Sequence, residues 1–363
     1  MSEQLPTPRK PTGTLRKGWT TGACAAGAAL AAYRALVSGA FKDCVTIHLP
    51  RDVTPCFTLS RHDFGDGFAR AGIIKDAGDD PDVTHGLEII AEVRLSAAHS
   101  GVSFFAGEGV GTVTLAGLVL APGEPAINPG PRKQICDALQ SVNGTLPDVQ
   151  VTISIPGGLE ASHKTMNARL GIIGGLSVLG TTGVVVPYSC SSWIHSIQRG
   201  IDVARAQGFK HVLAATGRTS ERAANSQLSL PEEALIDMGD FAGGLLKYVR
   251  CHPIQRLTVA GGFAKLTKLA QGCMDLHSSR SRVDFEKLAA LLEQLGADQL
   301  TVEAARHANT AMQVLQLADS NAPRLAQLVA RQAREVALAT LAGGTDIEVW
   351  VYDRQGQRIA VAS

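Results

Sequence analysis

The second half of the chain alternates short apolar runs with turn-bounded helical patterns, and this alternation constrains the fold more than any other feature. From about Gly183, apolar runs such as 211–215 and 257–260 lead through glycine-containing turns into helical patterns. Parallel strands need a crossover connection, which a helix supplies, so the pattern predicts a parallel sheet with helices on both faces. A helical stretch over 284–341 and a terminal hairpin complete this half.

The first half of the chain has a different pattern. An alanine-rich helix is predicted over residues 23–37, and short β-branched runs bounded by glycine, proline or aspartate follow between residues 44 and 120. A length of 363 residues accommodates two domains of ordinary size. We therefore predict an N-terminal α+β domain over residues 1–185 and a doubly wound α/β domain over residues 186–363.

Composition and charge argue against several classes of protein. The net charge of +1 disfavours nucleic-acid binding through bulk positive charge. No apolar run reaches the length of about 18 residues that a membrane span needs, and the polar N-terminus lacks the apolar core of a signal peptide. The seven cysteines are scattered and form no CxxC pair, which argues against a disulfide framework or a structural zinc site. The expected compartment is a reducing cytoplasm.

Two threonines and a glycine, Thr20, Thr21 and Gly22, open the alanine-rich helix and form the first candidate site. The free N–H groups and the dipole of a helix N-terminus favour an anion, and threonine hydroxyls add donors. The alternative is an ordinary capped helix that is buried by its alanines.

An aspartate-rich segment, DAGDDPDVTHG at residues 76–86, lies between two predicted strands. Its four aspartates and one histidine can bind Mg²⁺ or another hard cation, hold an amino group or ribose hydroxyls, or supply a general base. The alternative is a solvated turn, because aspartate, glycine and proline are common turn formers.

Two further segments of the first half combine stiff or glycine-rich backbone with polar side chains. Prolines stiffen residues 122–132, and five glycines in residues 166–187 permit close approach of the backbone to a ligand. Packing is the alternative role for both segments. The candidates here are Asn128, Arg132, Asn167, Arg169, Gly174, Gly175, Thr181 and Thr182.

A last group of candidates follows predicted strands of the second half at their carboxyl ends, where open α/β sheets bind ligands. Positive side chains there can pair with carboxylates, and arginine can do so through two hydrogen bonds. Alternatively, the lysines lie on a solvated helix face. The candidates are Gly217, Arg218, Gly261, Gly262, Lys265 and Lys268, followed by Asp275 and His277.

Several catalytic fingerprints are absent from the sequence. It contains no GxxxxGK[ST] phosphate loop, no GxSxG elbow, no HExxH metal motif and no complete GxGxxG dinucleotide motif. The residues alone therefore indicate an α/β enzyme with an anionic ligand and leave the reaction open.

As a set, the motifs resemble the cobalt-precorrin-5B C(1)-methyltransferase family of anaerobic cobalamin biosynthesis. The resemblance rests on LRKGWTTGACAAGAA, DAGDDPDVTHG, GVGTVTLAGL, PGEPAINPGPR, NARLGIIGGLSVLGTTGVVVPYS and GGFAKLTKLAQGCMDLHS, which occur in this order between about residue 15 and residue 280. The segment NTAMQVL at 309–315 is similar to the family as well. Trp19 and Gly27 are variants of the more usual residues at their positions.

The resemblance implies a Rossmann-like, three-layer second domain and a methyl transfer. S-adenosyl-L-methionine would give its methyl group to C-1 of ring A of a cobalt-containing tetrapyrrole, and the product would be cobalt-precorrin-6A. The implied partners are these two small molecules, with neither nucleic acid nor membrane, and homo-oligomerisation stays open. No enzyme-bound metal is expected, because the cobalt belongs to the substrate.

The carboxylates of such a substrate require positive and N–H donors. Its predicted ligands are Thr20, Thr21, Gly22, Asn128, Arg132, Asn167, Arg169, Arg218, Lys265 and Lys268. The methyl donor is expected at Gly174, Gly175, Thr181 and Thr182 or at Gly217, Gly261 and Gly262, and Asp80 and His85 are the predicted catalytic residues. A non-catalytic carrier of corrin intermediates and a Mg²⁺-dependent phosphotransferase built on the aspartate-rich segment are the alternatives.

Overall fold

The structure, a computed structural model, describes residues 13–363 of the chain. The protein divides into two compact units, one extending to Ser189 and the other running from Cys190 to Ser363, a few residues beyond the boundary predicted from the sequence. Each unit contains a β-sheet packed against helices, so the predicted mixed α/β character is confirmed. None of the helices between residues 13 and 363 is both long and apolar enough to cross a membrane.

The described part of the first unit combines many short strands with a few helices. Its strands are β1 (Gly18–Trp19), β2 (Cys44–Thr46), β3 (Cys56–Thr58), β4 (Arg61–Gly65), β5 (Phe68–Ile74), β6 (Glu88–Leu95), β7 (Val102–Ala106), β8 (Thr112–Val113), β9 (Val149–Ser154), β10 (Ile172–Ile173) and β11 (Val184–Val185). Its α-helices are α1 (Thr21–Ser38), α2 (Pro129–Asn143) and α3 (Gly158–Ser162). The main sheet has the order β4–β5–β6–β9–β7, in which β7 and β9 are parallel and the other neighbours antiparallel.

Helix α1 is buried on nearly all sides, and its small residues make this possible. The Thr20 side chain caps the helix by accepting a hydrogen bond from Ala23 N–H at 3.2 Å, and Gly39 ends it in the left-handed conformation. A Cβ added at Gly27 would lie only 2.8 Å from Ile73 Cδ1, so the helix and the sheet approach closely. The predicted alanine-rich helix is confirmed.

The second unit alternates strands and helices along the chain. Its strands are β12 (His211–Ala215), β13 (Leu235–Asp237), β14 (Arg256–Gly262), β15 (Asp346–Tyr352) and β16 (Arg358–Ala362). Its α-helices are α4 (Cys190–Ala206), α5 (Arg218–Leu228), α6 (Ala242–Cys251), α7 (Phe263–Ala270), α8 (Phe285–Gln294), α9 (Gln299–Arg306), α10 (Ala311–Leu317) and α11 (Ala322–Leu341). The sheet order is β13–β12–β14–β15–β16, with the first four strands parallel and β16 antiparallel.

Alternate side chains along β12 face opposite sides of this sheet. Val212 and Ala214 belong to the core formed with α6, α7 and α11, whereas Leu213 and Ala215 belong to a smaller core with α5. Both faces are therefore covered, which explains why the strand is a continuous apolar run. The carboxyl ends of the four parallel strands consequently lie along one edge, where the chain leaves the sheet in loops.

Candidate functional site

In the first unit, the N-terminus of α1 lies against the glycine-rich segment 178–185. Thr20 N–H donates to Gly183 O at 2.9 Å, and Gly22 N–H donates to Leu179 O at 3.1 Å. These N–H groups belong to the helix start that was predicted to bind an anion. Part of that donor capacity is thus used to hold the glycine-rich segment in place.

The start of α2 meets the same segment. The side chain of buried Gln134 donates from Nε2 to Gly180 O at 2.9 Å and to Thr181 O at 3.1 Å. Gly180 has a φ of +125°, and a Cβ added there would lie 2.3 Å from Thr20 Oγ1, so glycine is required at this approach. A Cβ at Gly130 would lie 3.2 Å from Thr181 Cα. The structure therefore brings the starts of α1 and α2 and the glycine-rich segment together.

Arg16 fixes the beginning of the aspartate-rich segment. Its guanidinium contacts both carboxylate oxygens of Asp76, at 2.5 and 2.9 Å, and its backbone N–H donates to Asp79 at 2.6 Å. The hydrogen bond from Arg16, together with that from Gly78 N–H, lowers the pKa of Asp76 to about 2. This carboxylate is ionised at neutral pH, and it faces the protein's own arginine.

A buried ion pair holds the other end of the segment. Lys75 is 1% exposed, and its Nζ lies 2.5 Å from Asp82 Oδ2, while Asp82 Oδ1 accepts from the N–H and the hydroxyl of Thr84 at 2.8 and 2.6 Å. Burial by itself would raise the pKa of Asp82, but the charge of Lys75 and these hydrogen bonds outweigh it, and the pKa is lowered. The residue pattern did not single out Lys75, although a lysine between a strand and an acidic segment was the available signal.

Asp80 and His85, the predicted catalytic residues, face separate partners. Asp80 Oδ1 accepts a hydrogen bond from Tyr188 N–H at 2.7 Å. His85 is half exposed, and its Nδ1 accepts from Ala77 N–H at 3.0 Å. Because Nδ1 accepts, a neutral His85 carries its proton on Nε2 and presents an N–H donor outward.

The four aspartates are held by several different groups of the protein. Their partners are Arg16 for Asp76 and Asp79, Tyr188 for Asp80 and Lys75 for Asp82. Across residues 13–363, no group of three or more histidine, cysteine, aspartate or glutamate side chains is arranged to hold a metal ion. Each of the four carboxylates is therefore held by backbone or by a cation of the protein.

Arg132 and Asn167 brace irregular backbone in the same unit. Arg132 donates from Nε to Ile127 O at 2.7 Å and from Nη1 to Glu124 at 2.9 Å. Asn167 is buried, and its Nδ2 donates to Gly175 O at 3.1 Å. Both side chains hold predicted binding segments in shape.

The remaining candidates of the first unit occupy varied positions. Asn128 is the N-cap residue of α2, and Arg169 lies half-buried in a short 3₁₀ helix. The Thr182 hydroxyl donates to Val184 O at 3.2 Å. Gly174 has a φ of +87°, and an added Cβ would meet nothing within 4 Å. Of these residues, only Asn128 belongs to one of the two converging helix starts.

In the second unit, Lys265 ties the carboxyl ends of three strands together. It lies in the first turn of α7 after β14, and its Nζ donates to Thr216 O just after β12, at 2.8 Å. The same Nζ pairs with Asp240, beyond β13, at 3.1 Å. Lys268 is buried and donates to Leu276 O at 2.8 Å. Both lysines stabilise the loops of this edge.

Open backbone lines the same edge. A Cβ added at Gly217, which precedes α5, or at Gly262, which precedes α7, would meet nothing within 4 Å. At Gly261, by contrast, a Cβ would lie 2.9 Å from the Thr216 side chain. Arg218, the first residue of α5, is exposed. The two open glycines therefore leave room for a ligand to approach the main chain closely.

Comparison with known proteins gives a consistent result. The family model described as CbiD matches residues 8–187, and the model described as CbiD, C-terminal domain, matches residues 275–363. A protein of Brucella canis named cobalt-precorrin-5B C(1)-methyltransferase is 57% identical over 350 residues, which are 95% of this chain and 95% of that protein. A protein of Paramagnetospirillum magneticum with the same name is 57% identical over 352 residues, which are 96% and 98% of the two chains.

A crystal structure of the cobalamin biosynthesis protein cbiD from Archaeoglobus fulgidus is also similar. It shares 28% sequence identity, covers 74% of this chain and 84% of its own, and has a TM-score of 0.39. The match to the family models and the identity to the two full-length relatives confirm the resemblance seen in the motifs. The chain belongs to the CbiD family, the cobalt-precorrin-5B C(1)-methyltransferases.

Proposed function

We propose that this protein is an S-adenosyl-L-methionine-dependent methyltransferase of cobalamin biosynthesis that methylates C-1 of cobalt-precorrin-5B to give cobalt-precorrin-6A. Its main support is the 57% identity, over 95% of both chains, to a relative named for this activity. The cobalt enters as part of the substrate.

Methyl transfer places modest chemical demands on the side chains. S-adenosyl-L-methionine supplies an electrophilic methyl group on a sulfonium sulfur. As the new bond from ring carbon C-1 to the methyl carbon forms, the bond from methyl to sulfur breaks, and its electron pair stays on sulfur. The protein aligns the two reactants and excludes water, and such positioning can lower a barrier by about 7–11 kcal/mol.

The second unit is the better place for the methyl donor. We assign it a Rossmann-like, doubly wound architecture, because the order β13–β12–β14–β15 reverses direction between β12 and β14. Ligands of such sheets bind outside the carboxyl ends at this reversal. The open backbone of Gly217 and Gly262 lies there and suits a close ligand, with Gly261 packed beside Thr216. The loop with Gly174, Gly175, Thr181 and Thr182 is the alternative donor site.

The carboxylates of the tetrapyrrole are assigned to exposed or half-exposed cations. Arg132, Lys265 and Lys268 have protein partners that shape loops, whereas Arg218 is exposed at the start of α5. Arg169 of the first unit, which is half-buried and also makes contacts within the protein, is the second arginine that we assign to these carboxylates. We expect Arg169→Ala and Arg218→Ala each to weaken tetrapyrrole binding by about tenfold, the loss of one charge-assisted hydrogen bond. Unchanged affinity in both variants, measured by absorbance titration, would remove these residues from the site.

His85 and Asp80 remain the proposed polar groups near the reacting substrate. The Nε2–H of a neutral His85 suits a hydrogen bond to a substrate carboxylate, whereas its Nδ1 is held by Ala77 N–H. Asp80, which accepts from Tyr188 N–H, is then the group that would receive a ring or side-chain proton from the tetrapyrrole as C-1 is methylated.

The direct test is an anaerobic incubation with cobalt-precorrin-5B and S-adenosyl-L-methionine labelled in the methyl group. Mass spectrometry of the tetrapyrrole should show one labelled methyl at C-1, and S-adenosylhomocysteine should appear in equal amount. Tight binding of the tetrapyrrole without any label transfer would instead indicate a carrier of corrin intermediates. The variant Leu300→Ala changes an exposed side chain of α9 and is the matched control, which should transfer the label as the wild type does.

A further inference from the structure

An exposed tryptophan stands at the edge of the sheet assigned to the methyl donor. Trp193 lies in the first turn of α4, and 46% of it is exposed. Its Nε1–H donates to Asp237 O, the last residue of β13, at 3.0 Å. A large aromatic side chain that is exposed and yet held by a hydrogen bond is typical of a binding surface.

The neighbours of the indole form a shaped surface. A Cβ added at Gly239 would lie 3.3 Å from the Trp193 ring, so the turn after β13 is packed directly on it. The ring of Phe241 lies 6.4 Å away between centroids, at an interplanar angle of 47°. Gly239, with a φ of +51° and no side chain, therefore lets the turn lie close to the two rings. The result is an aromatic surface at the carboxyl end of β13.

Asp237 adds an acidic group to this surface. It ends β13, the strand that follows the Gly217 turn, and it stands twenty residues beyond that glycine. In nucleotide-binding α/β folds, an acidic residue at about this spacing accepts hydrogen bonds from ribose hydroxyls. Gly239 N–H donates to Asp237 Oδ1 at 3.2 Å and fixes the orientation of the carboxylate. A carboxylate offers about four acceptor sites, so a ribose contact is chemically compatible with the contacts that Asp237 already makes within the protein.

We propose that Trp193, supported by Phe241, is the surface on which the adenine of the methyl donor stacks, and that Asp237 binds the ribose. This inference rests on the proposed function, since it takes S-adenosyl-L-methionine as the ligand of the second unit. It orients the donor: the adenosine lies over the end of β13, and the methionine end points toward Gly217 and Gly262. Lys265, through its contacts with Asp240 and Thr216, holds the strand ends that would contact the adenosine and methionine ends of the donor.

The test measures binding of S-adenosylhomocysteine, which carries the adenosine but no reactive methyl group. In isothermal titration with the full chain, Trp193→Ala should weaken binding by about tenfold or more, as expected for loss of one base–aromatic stack. Trp193→Phe retains an aromatic face but loses the N–H, so it should bind within about threefold of the wild type. Asp237→Asn should weaken adenosine and S-adenosylhomocysteine alike.

Fluorescence provides a second readout that is independent of turnover. Of the three tryptophans in the chain, Trp350 is buried, Trp19 is partly buried and Trp193 is the most exposed, so stacking on Trp193 should quench the most exposed component of the fluorescence. Trp193→Phe should abolish this quenching while retaining the heat of binding. Leu300→Ala, which removes another exposed apolar side chain, is the matched control and should bind and quench as the wild type does.

The outcomes separate the two proposals. Wild-type affinity in Trp193→Ala, with normal thermal unfolding, overturns the adenine assignment while labelled methyl transfer still supports the methyltransferase. Absence of both S-adenosylhomocysteine binding and label transfer in the wild type overturns the proposed function itself. If Trp193→Ala unfolds at a lower temperature than the wild type, the titration and the fluorescence of Trp193→Phe decide. Retained binding without quenching supports stacking on residue 193, whereas retained quenching contradicts it.

Discussion

The loops of the first unit and the sheet edge of the second differ in what their polar groups contact. In the first unit, Arg132, Asn167 and Asp82 are engaged by neighbouring backbone or by a buried cation. At the sheet edge, Gly217 and Gly262 present open backbone. The contrast shows that a polar, glycine-rich motif indicates irregular backbone. Whether its side chains can bind a ligand depends on the contacts that they already make within the protein.

The physical cause of the difference is the supply of backbone hydrogen bonds. At the sheet edge, the parallel ladders satisfy the main chain up to the last residue of each strand. The irregular segments of the first unit have no such ladder, so side chains such as Gln134 and Asn167 satisfy their carbonyl groups instead. The first unit therefore uses polar side chains to hold its irregular loops. The edge of the second unit uses Lys265 and Lys268 in the same way but leaves the main chain at Gly217 and Gly262 open.

The largest expected effect is at the buried ion pair of the first unit. Asp82→Asn leaves the Lys75 ammonium, which is 1% exposed, without its counter-charge. We expect unfolding free energy to fall by about 2–3 kcal/mol, somewhat less than for a fully buried pair because Asp82 is partly exposed. Urea denaturation measures this loss. The double variant Lys75→Met, Asp82→Asn should recover part of it. Asp79→Asn, on an exposed residue whose amide oxygen can still accept from Arg16 N–H, should change little.

If Asp82→Asn is as stable as the wild type, the ion pair does not stabilise the aspartate-rich segment. The segment would then resemble the sheet edge of the second unit, in that its polar groups are available to a ligand. Amide hydrogen exchange over residues 76–86 refines this test, since loss of the ion pair should speed exchange there before it affects the rest of the unit.

The next effect separates two glycines of residues 166–187 in the first unit. A Cβ at Gly180 would lie 2.3 Å from Thr20 Oγ1, whereas one at Gly174 would meet nothing within 4 Å, and both have positive φ. Gly180→Ala should lower the unfolding free energy by about 2–3 kcal/mol through strain and overlap, and Gly174→Ala by about 1 kcal/mol through strain alone. Thermal unfolding followed by circular dichroism compares the two. Equal losses would show that close packing at Thr20 is not what requires glycine.

Much of this architecture follows from the sequence, and the reasons are physical. The alternation of apolar runs with helical patterns predicted the sheet of the second unit, and the alanine-rich composition predicted the buried helix α1. Family motifs located the candidate segments. The partners of individual side chains could not be predicted: the contact of Lys75 with Asp82 joins residues near in sequence, but its burial depends on the surrounding fold. The same holds for Trp193, whose exposure no local pattern reveals.

At the sheet edge, a matched pair of glycines tests the openness of the backbone. Gly217 has an extended φ of 168° and free space for a Cβ, so Gly217→Ala should leave thermal unfolding nearly unchanged. In the proposed donor site, the added methyl group should weaken S-adenosylhomocysteine binding by about tenfold, about 1.4 kcal/mol. Gly261→Ala, which would press on Thr216 and Leu266, should instead lower stability by about 1–3 kcal/mol. If Gly217→Ala binds S-adenosylhomocysteine with full affinity, the methyl donor does not bind at this edge.

The smallest effect concerns the exposed pair between Arg16 and Asp76, and it depends on pH. Hydrogen bonding to Arg16 lowers the pKa of Asp76 from 3.8 to about 2 in the folded chain. Its stabilising contribution is therefore complete above the unfolded value and is lost as the pH falls from about 4 through about 2. Arg16→Met should lower the urea midpoint slightly at pH 7, less than Gly180→Ala does. The difference in midpoint between the wild type and Arg16→Met should shrink at pH 3.

Salt provides a second test of this pair. Because both side chains are largely solvated, high salt should also shrink the effect of Arg16→Met on the urea midpoint. The stability loss of Asp82→Asn should persist in high salt, since Lys75 is shielded from solvent ions. A salt-insensitive Arg16→Met loss would mean that the arginine acts by packing the 16–19 segment onto the aspartate-rich segment, which would make this surface pair part of the scaffold as well.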